Sequence, residues 1–365
     1  MQFSGQSYSL NLETSSMRKF KYLTVLSLPV TVIFSLIVNG PWTFLPLVVF
    51  FGMVPLLELL FPPDARNMEN NDRVLAENDS FYDYLLYLMV PIQWGTLLYF
   101  LFAIQEPGLS YLELTGRISS MGLMCGIIGI NVGHELGHRK PGLAHFLGEL
   151  LMLSSLENHF IPYHNIGHHF NVATPKDPAT ARRNESIYRF WIRSHFGSYC
   201  MAWRIENERI RKLEQSWYSL KNKMIHYSLA QVLLCTGIYV LFSWKVLLAF
   251  FIASVFGILL LETVNYIEHY GLLRQLNPQG RYERVNHQHS WNSDYVIGRL
   301  VLFELSRHSD HHYKASKKYQ TLDSLYSSPQ MPTGYPGMML LALVPPLWFN
   351  YMNVRIDEFQ KLKVP

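Results

Sequence analysis

Six stretches of this 365-residue chain, at 20–38, 42–61, 84–104, 117–132, 227–242 and 245–264, contain only Lys21, Glu58, Arg117, Lys245 and Glu262 as charged side chains. A helix needs about 20 apolar residues to cross the roughly 30 Å hydrocarbon core of a bilayer. Lipid offers backbone N–H and C=O groups no partners, so a span of this kind must satisfy them within its own helix. The runs therefore dictate an all-α, polytopic membrane protein with six transmembrane helices. Charged residues make up 16% of the chain, against about 25% in ordinary soluble domains, which excludes a set of soluble domains of the same total length.

In chain order, residues 1–19 are a polar tail, and Arg18, Lys19 and Lys21 precede the first apolar run. No small-residue cleavage site follows, so this run is expected to be a retained first helix rather than a secretory leader. Asn39-Gly40-Pro41 turns the first two spans into a hairpin, and Pro62-Pro63 opens a loop that lasts to Asp79. Pro91 interrupts the third span. Residues 145–161 are too short to cross a membrane with confidence and are expected to form a buried or interfacial helix. Pro345-Pro346 breaks the last apolar run, 336–348, into an interfacial or re-entrant piece. One membrane domain, 20–355, is expected, with a polar cap made of 134–226 and 265–335 and a tail at 356–365. Cys125, Cys200 and Cys235 are odd in number and widely spaced, so they outline neither disulfides nor a CxxC metal site. The net charge of +4 is modest, and no nucleic-acid partner is expected. Lys and Arg gather in the cap while the opposite loops nearly lack them, which by the positive-inside rule makes the cap and both termini cytoplasmic.

That cap holds the chemistry. Nine of the 15 histidines fall in four clusters: His134 and His138; His164, His168 and His169; His269; and His308, His311 and His312. Neutral imidazole is the commonest metal ligand, and residues three or four apart on a helix share a face. His134/His138 and His164/His168 can each grip one ion, while His169, turned by about 100° on an α-helix, is free to serve a second. His269 alone would be read as structural; it joins the set because it follows a span on the same side. His134-Glu135-x-x-His138 alone is a zinc-peptidase motif, but tetrahedral zinc would leave most of the other imidazoles idle. Two iron ions with positions open to dioxygen fit nine ligands better. Glu135, Asp177, Glu268 and Asp310 are expected to orient imidazoles through their other ring nitrogen. His145, His159, His195, His226, His287 and His289 show no such spacing and are read as structural, His289 least securely.

These motifs carry a resemblance. HELGHR from His134, HNIGHHFNVATPKDPATARRNES from His164, NYIEHYGLLR from Asn265, HSWNSDYV from His289 and RHSDHHYKASKKYQTL from Arg307 resemble the integral-membrane alkane 1-monooxygenases, a branch of the membrane desaturase and hydroxylase superfamily. The likeness extends from about Phe20 to Arg355. It implies a non-haem di-iron centre on the nine histidines, terminal hydroxylation of medium- or long-chain n-alkanes with O2, and residence in the bacterial inner membrane. Electrons would come from a separate rubredoxin, itself reduced by an NAD(P)H-dependent rubredoxin reductase; no CxxC pairs for a fused one are present. Ser306 and Arg139 depart from the usual family residues, which bears on substrate tuning more than on chemistry.

An alkane has no polar handle, so selection of its end carbon must come from shape. Phe50 and Phe51 in the second span are candidates for walling an apolar tunnel and setting chain length, against the alternative that they simply pack or face lipid. A xylene-type hydroxylase or a lipid desaturase would use the same scaffold, and the reaction product separates them.

Overall fold

The computed structural model describes residues 19–362. Residues 1–18 and 363–365, the ends of the two expected tails, lie outside the described residues, and with them the assignment of both termini to one side. In chain order, α1 (Lys19–Ile37), α2 (Gly40–Leu60), α3 (Asn70–Asn78) and α4 (Ser80–Ala103) are followed by α5 (111–137), α6 (Leu143–Leu153), α7 (160–171), α8 (Ile187–Lys212), α9 (Lys223–Leu241) and α10 (Trp244–His269). Then come α11 (Val296–Val301), α12 (His308–Tyr313), α13 (Tyr335–Ala342) and α14 (Pro345–Leu362). No β-strand occurs among the described residues; two isolated bridges pair Leu276 with Tyr282 and Asn292 with Gln330.

Five helices, α1, α2, α4, α9 and α10, are long and apolar enough to cross a membrane. Val30, Leu59, Leu60, Leu233, Val240 and Leu241 stand exposed on them, a surface that acyl chains would cover. The stretch 117–132, expected as a further span, lies in α5 and differs in kind. Arg117, Ser119, Ser120 and Asn131 are buried there, so α5 is the central post of the bundle, more polar than the helices around it. The Arg117 guanidinium reaches Glu106 at 2.8 Å, the Ala103 carbonyl at 2.6 Å and Asn39 Oδ1 at 3.1 Å. At the other end of the same packing, α5 meets α10 backbone to backbone: a Cβ on Gly257 would come within 2.6 Å of the Cys125 Cβ and 2.9 Å of the Gly126 nitrogen. Small residues permit that approach, as they do in membrane bundles generally.

Several expectations change. The loop 62–79 contains α3, and α4 runs unbroken through Pro91. The helix expected over 145–161 stops at Leu153 and gives way to turns before α7. Residues 356–362, expected as tail, complete α14, whose Trp348, Met352 and Ile356 recur every fourth position and are fully buried. That stripe packs on Tyr266 and Tyr270 near the end of α10, and burial of an amphipathic face is what holds a terminal helix in place.

Candidate metal centre

Two of the four histidine-bearing elements contain a π-helical stretch. In α5 a π-helical stretch, Cys125–Val132, precedes the α-helical turn that carries His134 and His138, and their Nε2 atoms lie 2.9 Å apart. In α7 the stretch Tyr163–His168 is itself π-helical. A π-helix closes i to i+5 bonds rather than i to i+4, so His164 faces His169, with 3.0 Å between their Nε2 atoms. His168 turns elsewhere. The pairing expected for an α-helix, His164 with His168, is therefore wrong, and the reason is the local helix type. His269 is the last residue of α10, and the short α12 supplies His308, His311 and His312.

The result is two groups. His134, His138, His164 and His311 form one, and His168, His269, His308 and His312 the other, each with ligand atoms within 4.8 Å of one another. His169 belongs strictly to neither, touching His164 of the first group and lying tilted against His312 of the second at 4.6 Å between ring centres. Further Nε2 separations are 2.8 Å for His134–His164, 3.2 Å for His168–His312 and 3.3 Å for His269–His308. Imidazoles bound to one ion at about 2.0–2.1 Å stand about 2.9–3.4 Å apart for octahedral to tetrahedral angles, so the spacings fit a shared cation. Seven of the nine rings are buried, and only His138 and His169 are half-buried. His311 Nε2, aimed into the first group, has no hydrogen-bond partner among the described residues. Burial, and then the neighbouring imidazoles, hold His164, His169, His308, His311 and His312 well below the ordinary histidine range. They stay neutral, the state a metal requires.

The four carboxylates expected around the rings behave differently from one another. Asp177 Oδ2 lies 2.9 Å from His168 Nδ1 and is itself fixed by Tyr163 and Thr180 hydroxyls, each at 2.7 Å. That contact places the proton on Nδ1 and turns the Nε2 lone pair into the second group. Glu268 instead approaches His308 at Nε2, the nitrogen that faces His269, at 3.1 Å, while its other oxygen accepts from Tyr335 at 2.7 Å. Glu135 turns to Arg139 at 2.8 Å and the Tyr319 amide, and Asp310 to Lys317 and the Asp323 amide. Among the described residues neither of these two hydrogen-bonds an imidazole; both tie loops together around the site. His289 keeps its ring on Asn286 and Glu283, and the neighbouring Ser290 hydroxyl lies 3.4 Å from His269 Nδ1.

An apolar cavity reaches the centre from the bundle. Phe50, Phe51, Val54, Ile127, Ile130, Leu260, Leu261, Val264, Val301, Leu302, Leu305 and Met339 wall it, and His134, His164 and His308 close its inner end. Both groups thus face one space. Phe50 is buried and Phe51 half-buried on that wall. Phe160, stacked on His164 at 4.6 Å, and Asn131, Asn265 and Tyr335 also line it. These four were not singled out from sequence, although the position of Phe160 four residues ahead of His164 was a usable signal.

Comparison with known proteins agrees with this picture. The fatty acid desaturase family model matches residues 109–342, a range that holds all nine histidines. The chain is 38% identical over 315 residues to an alkane 1-monooxygenase of Ectopseudomonas oleovorans, covering 86% of this chain and 78% of that protein. It is 39% identical over 329 residues to alkane 1-monooxygenase 1 of Pseudomonas aeruginosa, covering 87% and 86%. A xylene/toluene monooxygenase hydroxylase component of Pseudomonas putida is 31% identical over 320 residues, covering 85% and 81%.

Proposed function

On the premise that the chain belongs to the fatty acid desaturase family, and within it to the alkane 1-monooxygenases, we propose that it converts medium- and long-chain n-alkanes to primary alcohols in a bacterial inner membrane. The observation that carries this reading is the apolar cavity that ends on His134 and His164 of one group and His308 of the other. A chain without polar atoms would be held there only by shape and by exclusion of water, and its leading methyl would be the part that meets the centre. Two iron ions would be held, one by each histidine group with His169 beside the first. Iron bound there would supply dioxygen activation, with one oxygen atom entering the alcohol and the other leaving as water, using two protons and two electrons delivered by rubredoxin and its NAD(P)H-dependent reductase.

The chain's own residues do the rest. Asp177 holds the proton on His168 Nδ1, and Tyr335 holds Glu268 against His308. Phe50 and Phe51 narrow the cavity and would set how long a chain can enter. The helix α5 would be the sixth span, and the histidine face would be cytoplasmic, where a soluble electron donor can reach it.

The test is turnover of purified, iron-loaded protein with rubredoxin, its reductase and NADH on a panel of n-alkanes, a xylene and a saturated acyl lipid. Primary alcohols from alkanes support the reading. Oxidation confined to the ring methyls of xylene would move the protein toward its xylene-type relative, and a new double bond in the lipid would make it a desaturase. Phe50→Ala and Phe51→Ala should each shift the range of accepted lengths; an unchanged range in both would remove these residues from the tunnel.

A further inference from the structure

A third cluster of ligand-type side chains lies outside the nine-histidine centre. Glu157 and His159 sit in the turns between α6 and α7, and His195 projects from α8. Glu157 Oε1 is 3.3 Å from His159 Nε2 and 3.8 Å from His195 Nδ1, and the ligand atoms of all three lie within 4.8 Å of one another. Three ligands on a tetrahedral ion at about 2.0–2.1 Å stand about 3.4 Å apart, close to these separations.

The burial makes the cluster hard to explain as packing. Glu157 is 1% exposed, and among the described residues its Oε2 has no hydrogen-bond partner and His195 Nδ1 has none either. Glu157 Oε1 faces the His159 and His195 imidazoles, and Ser198 Oγ lies 3.3 Å from His159 Nε2, but leaving Oε2 of a buried carboxyl group without a partner is costly. The strongest remaining partner for this set is a cation. The site is also reachable, because the His195 side chain is 30% exposed while Glu157 and His159 are enclosed.

We propose that Glu157, His159 and His195 form a third metal site, separate from the centre, that takes a divalent first-row transition ion such as Zn2+. Two histidines and one glutamate are a familiar zinc set that leaves a position for water. The ion ties the turn that leads into α7 to the middle of α8. This assignment does not depend on the alkane reading.

Iron-loaded full-length protein in detergent is dialysed against Zn2+, and iron and zinc are counted per chain by elemental analysis. Wild type should hold about one zinc beyond its iron. His195→Ala and Glu157→Gln should each lose that zinc and keep their iron. His195 is partly exposed, so its variant gives an answer even where the buried Glu157 substitution fails to fold. Wild-type protein that takes up no zinc overturns the site, and so does a zinc equivalent that survives in His195→Ala. Alkane turnover plays no part in the readout, so failure here and failure of the hydroxylase reading are distinguishable.

Discussion

The nine-histidine centre and the Glu157-His159-His195 cluster can both hold metal, yet they are built in opposite ways. The centre takes its imidazoles in runs from four helical elements, three of which give two or three apiece, and shields seven of nine rings from solvent. The smaller cluster takes one residue at a time from a turn and a helix face, and leaves His195 partly open. Runs at helical spacing make a site that can be seen in the chain and is fixed by local geometry. Single residues make a site that exists only when two distant segments pack. The difference predicts different sensitivities.

The largest effect belongs to the centre. His164→Ala or His308→Ala removes a ligand proposed for the iron and should abolish alkane turnover, by at least ~100-fold, since even loss of a residue that orients a ligand typically costs about 10–100-fold. Turnover and iron content of the purified variants check this. An equally deep loss of iron in His195→Ala would break the distinction between the two regions. Asp177→Asn comes next, weakening the hold on His168 at Nδ1, with an expected ~10–100-fold loss in iron affinity or turnover; an unchanged affinity would mean that packing alone orients that ring.

Acid should separate the regions further. Burial lowers the folded-state affinity of His164, His169, His308, His311 and His312 for protons, so below about pH 6.5 the unfolded chain binds protons that the folded metal-free chain refuses. The stability contributed is complete above that value and declines as pH falls. Metal-free protein should therefore lose thermal stability between pH 7 and 5, by up to about 1.4 kcal/mol per pH unit for each such imidazole, and iron-loaded protein should resist the fall until protons displace the metal. A flat profile for metal-free protein would contradict the enclosed, neutral centre. The smallest effect is on the other side of the comparison: His195→Ala shares no ligand with the centre and should alter alkane turnover by no more than about 2-fold, the usual limit of coupling between independent sites.

Most of the centre was legible because helical periodicity is a local property. His134/His138 and the trio in α12 follow from spacing alone, and His269 from its place at the end of a long apolar run. The partition of α7 was not legible, since nothing in His164-Asn165-Ile166-Gly167-His168-His169 announces a π-helix, and that single change of helix type sends His164 and His168 to different groups. Glu135 and Asp310 were misplaced because adjacency in sequence to a ligand says nothing about which way a side chain turns when Arg139, Lys317 or a loop amide competes for it.

The apolar runs by themselves determined an all-helical membrane chain, because the bilayer admits no other open arrangement of uncharged backbone, and the histidine runs determined that it would carry metal-binding chemistry. Only the tertiary structure decided that α5 is a buried post rather than a lipid-facing span, that one cavity serves both histidine groups, and that Glu157, His159 and His195 meet at all. Those outcomes depend on the close contact of α5 with α10 at Gly126 and Gly257 and on the packing of α8 beside α7. Long-range packing of this sort leaves no periodic trace in the segments it joins.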